Sequence, residues 1–181
     1  MSKTIFLVVL IVICFAGDQT IRGLEWKEDD GGLASAPLVV SQKGKAGFRR
    51  LLSAKTGIEF KNLLDNERSI RNRNLLSGSG VAAGDFDGDG WCDLYFCGLD
   101  NGNRLYRNLG DWKFEDVTEK TGVACAGQDS TAAGFADVDG DGDLDLLVNA
   151  LGRGTRLFRN DGNFKLVEIT TRCGLASTAG S

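Results

Sequence analysis

The chain has 181 residues, 42% of them apolar, with 25 glycines, one proline, no histidine and a formal charge of −4. That length allows one domain or part of one, and the missing histidine excludes a Ser-His-Asp or Cys-His nucleophile system and any His-ligated zinc or haem site supplied by this chain. The charge is unevenly spread: Asp85–Asp93 and Asp137–Asp145 hold nine aspartates and no basic residue, so everything else sums to +5, and this local acid is what speaks for a partner.

From the N-terminus, Lys3 precedes an apolar run of eleven residues, Ile5–Phe15, and Cys14-Phe15-Ala16 places small residues at the two key positions of a cleavage site. Residues 1–16 therefore read as an export signal. The run is short for roughly 30 Å of hydrocarbon, which takes about 20 residues, so stable membrane insertion is not expected. A retained anchor and a lipoprotein attached at Cys14 are the alternatives. Export places the chain in the periplasm, on the cell surface or in the medium. It also permits disulfides among Cys92, Cys97, Cys125 and Cys173 in any of three pairings; buried free thiols fit equally well. Residues 17–46 read as a loosely ordered leader.

Residues 47–78 are expected to form a partial blade with a closing strand and connector, because Gly47–Ile58 echoes Lys113–Val123 through a shared Lys-Thr-Gly. Lys43–Arg73 carries nine basic and three acidic residues, which fits a solvated face or a counter-surface to acid. Nucleic-acid binding is not expected of an exported chain with few aromatics there. Gly78–Gly84 has the glycines of a dinucleotide-binding turn, but it leads into acid instead of a helix N-terminus.

The remainder repeats with a period of 52. Asp85–Val123 aligns with Asp137–Leu175 without a gap, and 17 of the 39 pairs are identical. The expected units are 79–129 and 130–181, each with four short strands; in the first these are 81–84, 94–98, 104–108 and 113–118. Leu94-Tyr-Phe-Cys97 and Leu146-Leu-Val148 are apolar at successive positions, which in a strand requires both faces to be covered. A period near 50 with four strands per unit predicts an all-β protein of four-stranded antiparallel blades of a β-propeller, incomplete with about two blades. A solenoid or sandwich is the rival. On the same register the chain stops eight residues short of a third acidic loop, so the remaining blades are expected in a longer chain of which this is the N-terminal part. Arg104, Arg107, Arg156 and Arg159 recur in register and are expected to pair within or between blades.

In Asp85-Phe-Asp-Gly-Asp-Gly-Trp-Cys-Asp93 carboxylates stand at positions 1, 3, 5 and 9, with glycines at 4 and 6. Four like charges in nine residues repel unless a cation sits among them. Calcium accepts six to eight hard oxygens with tolerant geometry, and the pattern contains no thiolate or imidazole to favour zinc or copper. Magnesium, which demands a strict octahedron, fits less well. An EF-hand would need Glu at position 12, where Phe96 and Val148 stand. A solvated acidic turn is the remaining alternative. The expectation is two Ca2+ sites, one in each strand–loop–strand.

These residues carry a family resemblance. Gly84–Leu94 and Phe135–Leu146 resemble the FG-GAP repeats of integrin α-subunit propellers, and more closely the FG-GAP/VCBS-repeat proteins related to cartilage acidic protein. The following Arg-Leu-Tyr/Phe-Arg-Asn and Val/Ile-Thr…Gly segments are similar too. The resemblance implies side-chain ligands at Asp85, Asp87, Asp89 and Asp93 and at Asp137, Asp139, Asp141 and Asp145, with carbonyls from Trp91 and Asp143. It further implies a non-enzymatic binding or scaffold module for carbohydrate or extracellular protein, including adhesion in the integrin manner. The competing reading is a secreted polysaccharide hydrolase or lyase framed by the propeller, since fold alone does not settle function.

Overall fold

The computed structural model describes residues 27–28, 31, 34–36 and 48–176. The expected signal over 1–16 lies outside the described residues, as does most of the leader. Within 17–46 a two-residue antiparallel pair is described, β1 (Lys27–Glu28) with β2 (Ala34–Ser35). Among the described residues no helix is long and apolar enough to cross a membrane.

The unit beginning at Leu51 is built on two four-stranded antiparallel sheets. The first is β3 (Val81–Gly84), β4 (Asp93–Phe96), β5 (Arg104–Asn108) and β6 (Phe114–Asp116), in spatial order β3-β4-β5-β6. The second is β7 (Ser130–Ala136), β8 (Asp145–Ala150), β9 (Gly154–Asn160) and β10 (Leu166–Glu168), likewise a simple meander. The fold is therefore all-β, with sheets of the kind that form propeller blades. Among the described residues no strand is shared between the repeats, and the first strands of the two sheets, β3 and β7, lie against each other. That arrangement suits blades side by side about an axis better than a solenoid.

The core sits between the sheets. Tyr95 and Cys97 of the first repeat pack with Leu146, Val148 and Phe158 of the second, joined by Phe86, Leu105, Val117, Val123 and Cys125. Close approach of the inner strands needs a glycine: a Cβ on Gly80 would lie 3.0 Å from the Ala132 Cα and 3.1 Å from the Thr131 carbonyl oxygen. A buried polar knot ties the repeats. Asn103 donates to the Tyr95 hydroxyl (2.7 Å) and the Ser130 hydroxyl (3.0 Å), and Tyr95 donates to the Val123 carbonyl (2.7 Å). Burying such groups is tolerable because each finds a partner.

Cys97, Cys125 and Cys173 are free thiols, so none of the three disulfide pairings among the four cysteines is present. Cys97 and Cys125 are buried, and burial pushes the Cys97 thiol up to about 12, as expected of an inert core sulfur.

The closing strand expected within 47–58 is replaced by a helical turn, α1 (Ser53–Thr56). The shared Lys-Thr-Gly marks that turn in both places. Gly57, at φ +78°, donates to the Ser53 carbonyl, just as Gly122 at φ +74° closes α3 (Thr118–Thr121) on the Thr118 carbonyl. Only glycine adopts this left-handed cap without strain, so the motif signals a helix stop and carries no information about a strand. The segment then runs along the first sheet, with Phe60 stacked on Phe96 at 5.2 Å and the Glu59 amide donating to the Tyr106 hydroxyl at 3.3 Å. It continues into α2 (Asn66–Arg71), capped by Asp65, and a 3-10 turn over Arg73–Ser77. Arg68 pairs with Asp100 and Asp129. Arg68, from the basic stretch, thus answers acid outside the two aspartate-rich loops.

Candidate metal centres

Each acidic segment connects the first two strands of a sheet: loop 1 joins β3 to β4 and loop 2 joins β7 to β8. Gly88 and Gly90 take φ of +74° and +88°, and Gly140 and Gly142 take +82° and +96°, the left-handed values that wrap a short chain around a point. The first aspartate organises the turn. Asp85 accepts the Asp89 and Gly90 amides (3.1 and 2.8 Å), and Asp137 accepts those of Gly140 and Gly142 (2.7 and 3.1 Å).

The last aspartate locks the loop to the sheet. Asp93 is fully buried and accepts the Phe86 amide at 2.9 Å and the Asn108 amide at 2.7 Å. Asp145, also fully buried, accepts the Val138 and Asn160 amides, each at 2.8 Å. One carboxylate thereby holds the loop's second residue and the third strand together. Burial pushes the Asp93 carboxyl up to about 7, against the pull of the Asn108 and Phe86 amides and with the help of Asp87 and Asp89.

The side chains gather differently in the two loops. In loop 1, carboxylate oxygens of Asp85, Asp87 and Asp89 lie within 4.8 Å of one another, and Asp93 stands outside this group. In loop 2 the group is Asp137, Asp139 and Asp145, and Asp141 stands outside. Asp141 accepts the Asp143 amide at 2.9 Å, as Asp89 accepts that of Trp91 at 2.9 Å. Trp91 is half exposed and its indole lies against Gly110, whereas Asp143 is exposed.

Asp87 is the outlier. Its side chain is 9% exposed, and neither carboxylate oxygen accepts a hydrogen bond among the described residues. Burial raises its pKa, more than the nearby Arg107 lowers it. The Arg107 Nε sits 2.5 Å from Asp87 Oδ2 as an ion pair without an aligned N–H, and Nη2 donates to Asp89 Oδ2 at 2.8 Å. A buried carboxylate with idle lone pairs costs free energy unless a cation or donor completes it. Three hard oxygens plus idle lone pairs are a donor set that fits calcium.

Arg107 in this position is a site residue that repeat symmetry hides. Its counterpart Arg159 donates from Nε to Asp161 at 2.7 Å, with Lys165 on the other oxygen of Asp161 at 2.9 Å, and makes no ion pair with loop 2 among the described residues, although its charge still acts on Asp139 and Asp141. The position of Asp161 is held by Leu109 in the first repeat. That single difference between otherwise similar Arg-Asn-X-Gly turns is the signal in the sequence. The other arginines stay in register: Arg104 faces Asp116 at 3.4 Å and Arg156 faces Glu168 at 3.8 Å.

The profile of the FG-GAP-like repeat family matches residues 85–148, from the first ligand candidate of loop 1 to β8, and so covers both loops. Cartilage acidic protein 1 of Xenopus tropicalis is 31% identical over 99 residues, which is 52% of this chain and 15% of that protein. The chain therefore corresponds to a small part of that relative's length. Both loops lie inside the matched segment and each joins the first two strands of a four-stranded meander, so residues 85–148 are similar to FG-GAP-like repeats.

Proposed function

We propose that this chain is a calcium-binding, non-catalytic repeat module of an exported propeller protein, acting as a scaffold that presents a surface to carbohydrate or extracellular protein. The observation that carries the calcium reading is the buried carboxylate of Asp87, which accepts no aligned hydrogen bond and is balanced by the Arg107 guanidinium, beside Asp85 and Asp89. The second cluster at Asp137, Asp139 and Asp145 supports it, 52 residues on. Asp85, Asp87, Asp89 and Asp93 would hold one ion and Asp137, Asp139, Asp141 and Asp145 the other, with the Trp91 and Asp143 carbonyls completing the sets. The ion would neutralise charge that the fold otherwise compresses into one turn, and so hold adjacent strands in place.

FG-GAP repeats suggest an extracellular binding or scaffold module, and the relative's printed name fits such a setting. The proposed units are 79–129 and 130–181, preceded by an export signal over 1–16, a leader over 17–46 and the connector over 47–78. The loop carboxylates accept backbone amides of their own turns and strands, which suits a structural role.

The test is calorimetry of the intact chain with calcium and with chelator. Binding heat for two sites is expected, together with a melting temperature raised by about 2.7 kcal/mol of stabilisation per site when free ion is a hundredfold above the dissociation constant. Asp87→Asn and Asp139→Asn should each remove one site. Absence of both heat and stabilisation would overturn the reading. An array of glycans and matrix proteins, probed with the calcium-loaded chain, tests the partner class.

A further inference from the structure

Resting on the calcium reading above, we propose that Arg107 is a tethered competitor for the loop 1 cation, and that Asp161 removes the same competition from loop 2. The two sites are therefore unequal, and loop 2 fills first.

The guanidinium of Arg107 already supplies positive charge where the ion would sit, touching Asp87 and Asp89 with two of its nitrogens. Arginine is well suited to this because its planar fork spans two acceptors. It does not satisfy the site, since Asp87 Oδ1 and Oδ2 both remain without a hydrogen bond in a side chain more than nine-tenths buried. A metal entering loop 1 must displace the guanidinium from at least Asp87. The same guanidinium lies over the Phe164 ring, its Cζ 5.2 Å from the ring centre, so a displaced Arg107 also has to leave or re-form this contact. Lys120 shares that ring with its Nζ at 3.4 Å, so the displaced cation meets a repelling neighbour.

In loop 2 the equivalent guanidinium is held by Asp161, an acceptor outside the loop, and acts on Asp139 and Asp141 only through space. Leu109 offers Arg107 no such acceptor. The Leu109/Asp161 difference thus sets which loop carries its own internal cation. A competitor that holds the site nine-tenths of the time lowers apparent affinity about tenfold.

The loops can be read separately, because position 7 is Trp91 in loop 1 and Asp143 in loop 2. Terbium bound in loop 1 is sensitised by Trp91, and Trp91→Phe subtracts the other tryptophans. In the intact chain, calcium calorimetry should show a tighter and a weaker site, with Trp91-sensitised terbium emission tracking the weaker one. Arg107→Gln should move that emission to about tenfold lower terbium and leave the other site in place. Leu109→Asp should move it the same way by giving Arg107 an alternative acceptor, and Asp161→Leu should weaken the site that lacks emission. If both loops titrate but Arg107→Gln and Leu109→Asp leave the Trp91 signal unmoved or weaker, the competition is refuted while the calcium reading stands. If neither calcium nor terbium binds the wild type or any variant, both fall together.

Discussion

Loops 1 and 2 share a backbone and differ in their surroundings. Position 2 shows the contrast most simply: Phe86 is 3% exposed and Val138 is 45% exposed. Phe86 is covered because the second repeat reaches back over it. Phe164 meets its ring edge-on at 5.7 Å, and Asn160 donates to its carbonyl at 2.7 Å. Loop 1 is therefore covered at its second position by the other repeat, whereas loop 2 meets the first repeat through Leu144, beside Gly84, and leaves its second position open. The lesson is that the aspartate pattern specifies the turn, while burial and counter-charge are set by the neighbouring repeat.

The largest expected effect falls on the seam between the repeats. Asn160 is 2% exposed and donates across the repeats to Phe86 and within its own to the Leu144 carbonyl at 3.1 Å, while its side-chain oxygen accepts the Gly162 amide at 3.1 Å. Its counterpart Asn108 reaches the Cys92 carbonyl at 2.9 Å and accepts the Gly110 amide at 3.0 Å. Asn160→Ala leaves an extra buried carbonyl unpaired, which costs about 1–3 kcal/mol beyond the bonds it shares with Asn108. Urea unfolding should therefore place Asn160→Ala clearly below Asn108→Ala. Equal midpoints would mean that the seam contributes nothing particular to loop 1.

A step smaller are the locks at position 9. Asp93→Asn and Asp145→Asn each keep shape but convert one charged acceptor into a donor facing a backbone amide. Hydrogen bonds to charged groups contribute about 1.5–3 kcal/mol, and the two locks have nearly the same geometry. Thermal unfolding in chelator should show losses within about 1 kcal/mol of each other. A large inequality would show that the loops differ in their framework as well as in their surroundings.

Much of the fold could be read from the chain because the physics was local. The 52-residue period, the turn glycines and the apolar strands Leu94–Cys97 and Leu146–Val148 locate the strands and show that both faces are covered. The four strands expected in the first repeat agree with β3–β6 to within a few residues. The segment at 47–58 misled because Lys-Thr-Gly was aligned with a stretch containing both a strand and a helical turn, and only the turn recurs. In the loops, spacing picks out the aspartates as candidates but does not say which of their carboxylates lie together. Asp93 and Asp145 each also accept two backbone amides, Asp145 from within the loop 2 group and Asp93 from outside the loop 1 group. Arg107 escaped notice because repeat symmetry made it equivalent to Arg159, and the deciding residue, Leu109 against Asp161, lies outside the motif.

Phe164 sharpens the comparison on a smaller scale. Its ring meets Phe86, Arg107 and Lys120, while the equivalent Trp112 is 37% exposed. Aromatic pairs contribute about 0.5–1.5 kcal/mol beyond area burial, so Phe164→Ala should destabilise more than Trp112→Ala despite removing the smaller ring. The reverse ranking in matched melts would place the covering of loop 1 elsewhere than on this side chain.

The smallest effect belongs to the arginines that kept their register. Arg104–Asp116 and Arg156–Glu168 span 3.4 and 3.8 Å, and all four side chains are about two-fifths exposed. Exposed pairs of this kind contribute about 0–1 kcal/mol and weaken with salt. Arg104→Ala and Arg156→Ala should therefore shift stability by about 0.5 kcal/mol or less, by similar amounts, and less still in high salt. Their value is as a control on Arg107. If removing either in-register arginine changed calcium affinity as much as Arg107→Gln does, the effect would be one of net charge, because diffuse charge acts on both loops alike. A change confined to Arg107 and to loop 1 requires the contact with Asp87 and Asp89, and it is the contact, not the charge, that separates the two loops.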